Sequence, residues 1–196
     1  MNMGTSTFGA VALVFLAGLS ACGPRPGEAH LDGLKSRLMA IDSAEVAFKA
    51  APHHLAEPAL SRVDSTLRSI EVRMVGLVVN LEQGKPFSVL DERRRMLRRQ
   101  PGRKRRIDQE LDRTRRQIAN LVETIVDGAA VDAEGTPIDA AYLDKSAKDE
   151  MRIADNLITE MGITIDFLEK GLKDLDEVIA TADSAARHLS SIPGNP

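Results

Sequence analysis

Residues 147–189, AKDEMRIADNLITEMGITIDFLEKGLKDLDEVIATADSAARHL, decide the fold. Their apolar and small residues stand at Ala147, Met151, Ala154, Ile158, Met161, Ile165, Leu168, Leu172, Leu175, Ile179, Ala182, Ala186 and Leu189, spaced alternately by four and three for six heptads. A strict period of 3.5 predicts one helix supercoiled left-handedly against partner helices. Upstream, Thr136, Pro137 and Asp139 supply an N-cap, a first-turn proline and a first-turn acid. The helix is therefore expected from Pro137 to Leu189, about 80 Å at ~1.5 Å per residue, with a kink near Asp144, where polarity rises. Leu157 and Val178 widen the seam, so this helix wants more than one neighbour.

The same spacing recurs toward the N-terminus. Leu31, Leu34, Leu38, Ile41 and Phe48 mark a helix ended by Pro52. Leu60, Val63, Leu67, Ile70, Met74, Leu77 and Leu81 mark a second, surrounded by Val72, Val75, Val78 and Val79 and stopped by Gly84 and Pro86. Ser88 and Asp91 resemble a capping box for a short third segment. Pro101-Gly102 is expected to turn the chain, and Ile107, Leu111, Ile118, Leu121 and Ile125 give another helix up to Gly128. No alternating strand pattern competes. The expected fold is all-α: an elongated antiparallel three- or four-helix bundle with a long coiled-coil-like C-terminal helix. Five Phe, one Tyr and no Trp in 196 residues leave the core to Leu, Ile, Val, Met and Ala. The single cysteine excludes an internal disulfide and a multi-cysteine zinc site.

The net charge of −3 conceals a dipolar chain. Residues 91–126 carry a net +6 and residues 127–196 a net −9. The positive charge concentrates in Arg93, Arg94, Arg95, Arg98, Arg99, Arg103, Lys104, Arg105 and Arg106, with no acid between them. Guanidinium forks match phosphate and carboxylate oxygens bidentately, so these nine are candidate anion-binding residues. A solvated tip between helices, or pairing with the acidic last helix, explains the same run. The run holds no aromatic residue for stacking on bases, and nucleic acid is not expected as a partner.

His53, His54 and Glu57 form the one cluster of candidate metal ligands. Adjacent histidines point apart on most backbones, and His30 and His188 are not placed nearby by spacing, so no metal and no cofactor is expected. No phosphate-cradling glycine loop, nucleophile motif or dinucleotide fingerprint occurs. Acid pairs such as Asp174 and Glu177 read as solvated helix faces. The chain is therefore expected not to be an enzyme.

At the N-terminus, residues 11–19 form an apolar run too short to span a bilayer comfortably, as in a secretory signal peptide. Leu19-Ser20-Ala21-Cys22-Gly23 follows and resembles the lipobox of bacterial lipoproteins. Residues 1–21 hold no Lys or Arg, so the positive charge there rests on the terminal amine. The resemblance covers residues 1–23. It implies cleavage before Cys22, acylation of that thiol (diacylglyceryl on sulfur, palmitate among the chains) and membrane anchorage. Gly23 in place of Asp implies the periplasmic face of the outer membrane. The expected organisation is a signal peptide over 1–21, a lipidated Pro/Gly tether over 22–28, a helical bundle over 29–190 and a disordered tail over 191–196. The expected function is that of a non-enzymatic, lipid-anchored cell-envelope scaffold or adaptor. Its expected partners are the membrane, anionic envelope polymers or lipid head groups, and a coiled-coil protein or a second copy. The alternative is a periplasmic ligand- or metal-binding helical bundle.

Overall fold

The computed structural model describes residues 25–132 and 135–192. Cys22, the apolar run before it and residues 193–196 lie outside the described residues. Six α-helices follow in order: α1 Leu31–Ala50, α2 Ala56–Arg73, α3 Leu81–Arg98, α4 Gln100–Asp127, α5 Ala140–Leu172 and α6 Leu175–Ser190. They join end to end as three antiparallel arms, α1–α2, α3–α4 and α5–α6. The fold is the all-α antiparallel bundle that the heptads demand.

Two apolar clusters stack along the rod. The lower one joins α1, α4 and α5 through Leu34, Ile41, Phe48, Ile107, Ile118, Ile125, Ala154 and Met161. The upper one joins α2, α3 and α6 through Ala56, Val63, Ile70, Leu90, Leu97, Ala182 and Ala186. Small residues on α6 let the upper helices approach closely, as their alternation with Val and Leu across the seam requires. Each arm breaks at the level between the clusters: at Ala51–Leu55, at Arg99 and at Lys173–Asp174. This level is the waist.

Several boundaries differ from the sequence expectation. The C-terminal helix is two helices, because Asp174 takes a left-handed conformation at φ 51°. Leu168, Leu175 and Ala182 stay buried across that break, so the heptad phase survives it. There is no interruption at Asp144, through which α5 runs. The N-cap of α5 is Asp139, whose Oδ1 accepts from the Tyr142 N–H at 2.7 Å, and not Thr136. Pro137 instead forms an isolated antiparallel bridge with Val131.

The second helix ends at Arg73, not at Gly84, and Gly76 at φ 78° supplies the reversal. The capping box lies at Asn80 and Gln83, whose side chains each accept from the other's backbone N–H at 3.0 Å, and not at Ser88 and Asp91. From that cap α3 continues through Gly84 and Pro86, forgoing the ladder bond that a proline cannot donate. Pro101 does not turn the chain. It sits in the first turn of α4, where its missing N–H leaves no intrahelical bond unmade. Among the described residues, no helix is long and apolar enough to cross a membrane.

Candidate functional site

The lead-in to α1 is seated on the lower end of the rod, here called the base. Arg25 Nη1 donates to the Val126 carbonyl at 2.8 Å, satisfying one of the acceptors left over where α4 ends. The Arg25 N–H donates to Glu28 Oε2 at 2.9 Å, closing a tight turn. Gly27 occupies the left-handed region at φ 81°, and a Cβ there would stand 3.1 Å from Ile125 Cγ1 and Leu143 Cδ1. Only glycine meets both conditions. His30 Nε2 lies 3.1 Å from Asp144 Oδ1, and Lys148 contacts the same carboxylate at 2.8 Å. The lysine first, and the imidazole after it, hold the Asp144 carboxyl below its ordinary pKa.

The basic run lies across the waist, on the end of α3 and the start of α4. Six of its nine cations are engaged within the protein. Arg93 donates to the Lys170 carbonyl. Arg94 Nε reaches Asp64 on α2 at 2.6 Å, and Arg95 pairs with Asp91 at 3.3 Å. The Arg103 guanidinium stacks over the Phe167 ring at 4.7 Å, a cation–π contact. Lys104 pairs with Asp108 at 2.7 Å and Arg106 with Glu160 on α5 at 2.9 Å.

Among the described residues, pairing of the run with the acidic last arm is thus realised as an ion pair at Arg106. The remaining three, Arg98, Arg99 and Arg105, are exposed and have no side-chain partner among the described residues. Arg95 and Arg98 lie in the last turn of α3, Arg99 at the break, and Arg105 and Arg106 on α4 about one turn beyond Gly102, so the exposed cations follow one another across the waist as a stripe. A Cβ on Gly102 would meet nothing within 4 Å. An extended anion can therefore approach the helix surface there.

Beside the stripe, His53, His54, Glu57, Gln100, Pro101 and Lys104 line a recess of about 280 Å³. His53 Nε2 stands 2.9 Å from the Phe48 carbonyl, and its ring packs tilted on Phe48 at 4.6 Å. A carbonyl only accepts, so Nε2 carries the hydrogen. Burial pushes the His53 pKa down, which leaves Nδ1 as a bare acceptor with no partner. Gln100 is 1 % exposed, and neither atom of its carboxamide is hydrogen-bonded. Sequence reading did not single out Gln100; its place one residue before Pro101 gave no sign of burial.

The two histidines and Glu57 share this recess, yet no group of three or more potential ligands is arranged to hold a metal among the described residues. His30 and His188 sit far from it, at the base and at the last turn of α6. Val72, Val75 and Val78, expected to surround the second helix with apolar surface that wants neighbours, are exposed at the far end of the rod. Compared with protein-family models, with curated proteins and with solved structures, the chain finds no match among any of them.

Proposed function

We propose that this chain is a non-enzymatic protein of the bacterial cell envelope, held on a membrane by lipid on Cys22 and acting through its surfaces as a helical scaffold or adaptor. The seating of the lead-in carries this reading. Only Gly23 and Pro24 separate Cys22 from Arg25, which is bonded to Val126 at the base. Three residue steps reach about 10 Å, so lipid on Cys22 brings the base to the head-group layer. Several acyl chains, at ~0.8 kcal/mol per buried methylene, anchor stably. Gly23 after the cysteine favours the periplasmic face of the outer membrane.

The basic stripe then stands well above that membrane. From Val126 to Arg106 the helix rises about 30 Å, and to Arg98 about 40 Å. Screening confines head-group attraction to ~8 Å. On an upright rod the anionic partner is an envelope polymer in the aqueous layer, not the head groups around the anchor. Mass spectrometry of the protein extracted from membranes tests the anchor: acylated Cys22 at the new N-terminus is expected, and the Cys22→Ser chain loses both changes. An unmodified Cys22 behind an intact leader overturns the reading.

One observation favours a second reading, a periplasmic bundle holding a small ligand. A buried carboxamide without hydrogen bonds costs about 1–3 kcal/mol, and Gln100 and His53 Nδ1 border the same recess. Primary amides and small carboxylic acids offer the matching donor and acceptor. If neither these nor divalent metals raise the unfolding temperature, this reading falls.

A further inference from the structure

The turn between α2 and α3 forms the end of the rod opposite the base. Val72, Val75, Val78 and Leu81 are exposed there by 75, 79, 73 and 84 %. Together they expose about 500 Å², most of it side-chain hydrocarbon, within the roughly 300–600 Å² that the largest patch on an ordinary monomer reaches. We propose that this tip is a homotypic docking surface, covered by the same tip of a second copy of the chain. The inference does not depend on how the N-terminus is anchored.

Three observations select that occupant. The run from Met74 through Leu81 contains no charged residue. Residues next to a two-fold axis meet their own copies, so a charge there would face a like charge, and the uncharged centre of the tip avoids this penalty. Of the charges flanking it, two are neutralised within the chain, Arg73 by Asp183 at 2.5 Å and Glu82 by Lys85 at 2.5 Å, which leaves Glu71. The area also fits. Two such tips cover about 1,000 Å² in total, the lower limit for a specific interface.

Lipid is disfavoured as the occupant. The exposed Glu71 beside the patch repels anionic head groups, and no unpaired cation lies between it and Glu82. The N–H groups of Val75, Gly76, Val78 and Val79 have no acceptor within the turn, where Met74 and Leu77 alone are bonded, to Ile70 and Met74. In hydrocarbon each open group costs several kcal/mol, whereas a protein interface meets such groups with bridging water.

The chain's own apolar run at 11–19 does not reach the tip. Fourteen residues from Arg25 to Val11 extend at most about 50 Å, and the α1–α2 arm separates base from tip by about 60 Å.

Disulfide trapping in the full chain, expressed in bacterial membranes, tests the proposal. Val78→Cys places a thiol near the two-fold axis. Val46→Cys, on α1 and 72 % exposed, is the control for random collision, and the parent chain reports any cross-link through Cys22. Mild oxidation is expected to give at least tenfold more covalent dimer with Val78→Cys than with Val46→Cys. Adding Val75→Asp to Val78→Cys is expected to abolish it with helicity unchanged, because Val75 touches little within the monomer. The proposal is overturned by a Val78→Cys chain that stays monomeric, cross-links equally at both positions, or cross-links to a different envelope protein. Protection of the Val78→Cys thiol from a water-soluble maleimide by the bilayer, without dimer, also overturns it.

Discussion

Gly171 on α5 approaches Leu97 on α3 so closely that a Cβ built on the glycine would stand 3.0 Å from Leu97 Cδ2 and 3.1 Å from Leu97 Cγ. Leu97 is fully buried, so its side chain has no solvent into which to retreat. The third arm thus crosses the second at the waist with backbone against side chain. Gly162, on the same helix, has open space where a Cβ would go. Replacing Gly162 by Ala is expected to stabilise the protein by about 0.5–1 kcal/mol through helix propensity, raising Tm by about 1–4 °C. Gly171→Ala forfeits that gain, and Gly171→Leu is expected to cost about 1–3 kcal/mol by overpacking. Calorimetry of the three variants checks this; equal gains at both glycines would mean that the arms do not touch.

His53 and Glu45 shape the acid profile of the fold, alongside Asp144 at the base. His53 has a depressed pKa, from burial first, so the folded state favours its neutral form. Its stabilisation is present above the unfolded value of 6.5 and is lost as pH falls below it. Glu45 is held at about 2, against an ordinary 4.5, by Arg115 first and Lys49 second. Its contribution is present above 4.5 and is lost as pH falls from there toward 2. Glu150 works in the opposite sense, since burial raises its pKa and its stabilisation is lost as pH rises. Differences between variants therefore isolate each group. Relative to the parent, His53→Gln is expected to flatten the fall in Tm between pH 7 and 5, and Glu45→Gln the fall between pH 4.5 and 2.

The heptads made the three-arm bundle legible because its core is aliphatic and its phase never slips. The breaks were hidden for the same reason. Lys173, Asp174 and Arg99 are ordinary surface residues of a helix, and Leu168, Leu175 and Ala182 keep their positions across the break. The turn after Arg73 hid because Met74, Leu77 and Leu81 continue the heptad spacing. Gly76, with its positive φ, and the Asn80–Gln83 capping box were the signals that marked it. The basic run was plain in the sequence, but not which of its cations are occupied. Their partners, Asp64, Glu160 and Phe167, arrive from other arms of the fold. The seating of Arg25 on Val126 joins residues 101 positions apart, beyond any local pattern.

Dividing the basic run into paired and unpaired cations separates stability from binding. Arg98→Gln, Arg99→Gln and Arg105→Gln together remove cations with no hydrogen-bond or ion-pair partner among the described residues, and Tm is expected to change by less than about 0.5 kcal/mol equivalent. Binding to isolated sacculi at low salt is expected to fall at least tenfold, since each cation near a polyanion contributes ~1 kcal/mol. Arg94→Gln and Arg103→Gln break the contacts to Asp64 and Phe167 and are expected to lower Tm with a smaller loss of binding. Co-sedimentation across a salt series is the measurement. Unchanged binding by the triple variant removes the polyanion from the proposed function.

The base supplies the last test, because the docked lead-in holds its own amides in hydrogen bonds. The Arg25 N–H donates to Glu28 Oε2, the Glu28 N–H to the Arg25 carbonyl and the His30 N–H to the Gly27 carbonyl. The Arg25 guanidinium is bonded to the Val126 carbonyl, and the backbone around it is pinned by Gly27 against Ile125 and Leu143. Exchange of these amides with solvent therefore requires the lead-in to lift from the rod. Gly27→Val places a branched side chain at φ 81° and drives its Cβ into two buried side chains, a combined strain of about 1–3 kcal/mol. That strain is relieved by undocking the lead-in while α1 stays packed. Amide exchange at Glu28 and His30 is expected to accelerate about tenfold or more, with global Tm nearly unchanged. Arg25→Lys weakens the bond to Val126 and is expected to fall between the parent and Gly27→Val. Equal exchange rates in all three would mean that the lead-in does not hold the base, and the short link between Cys22 and the rod would lose its rigidity.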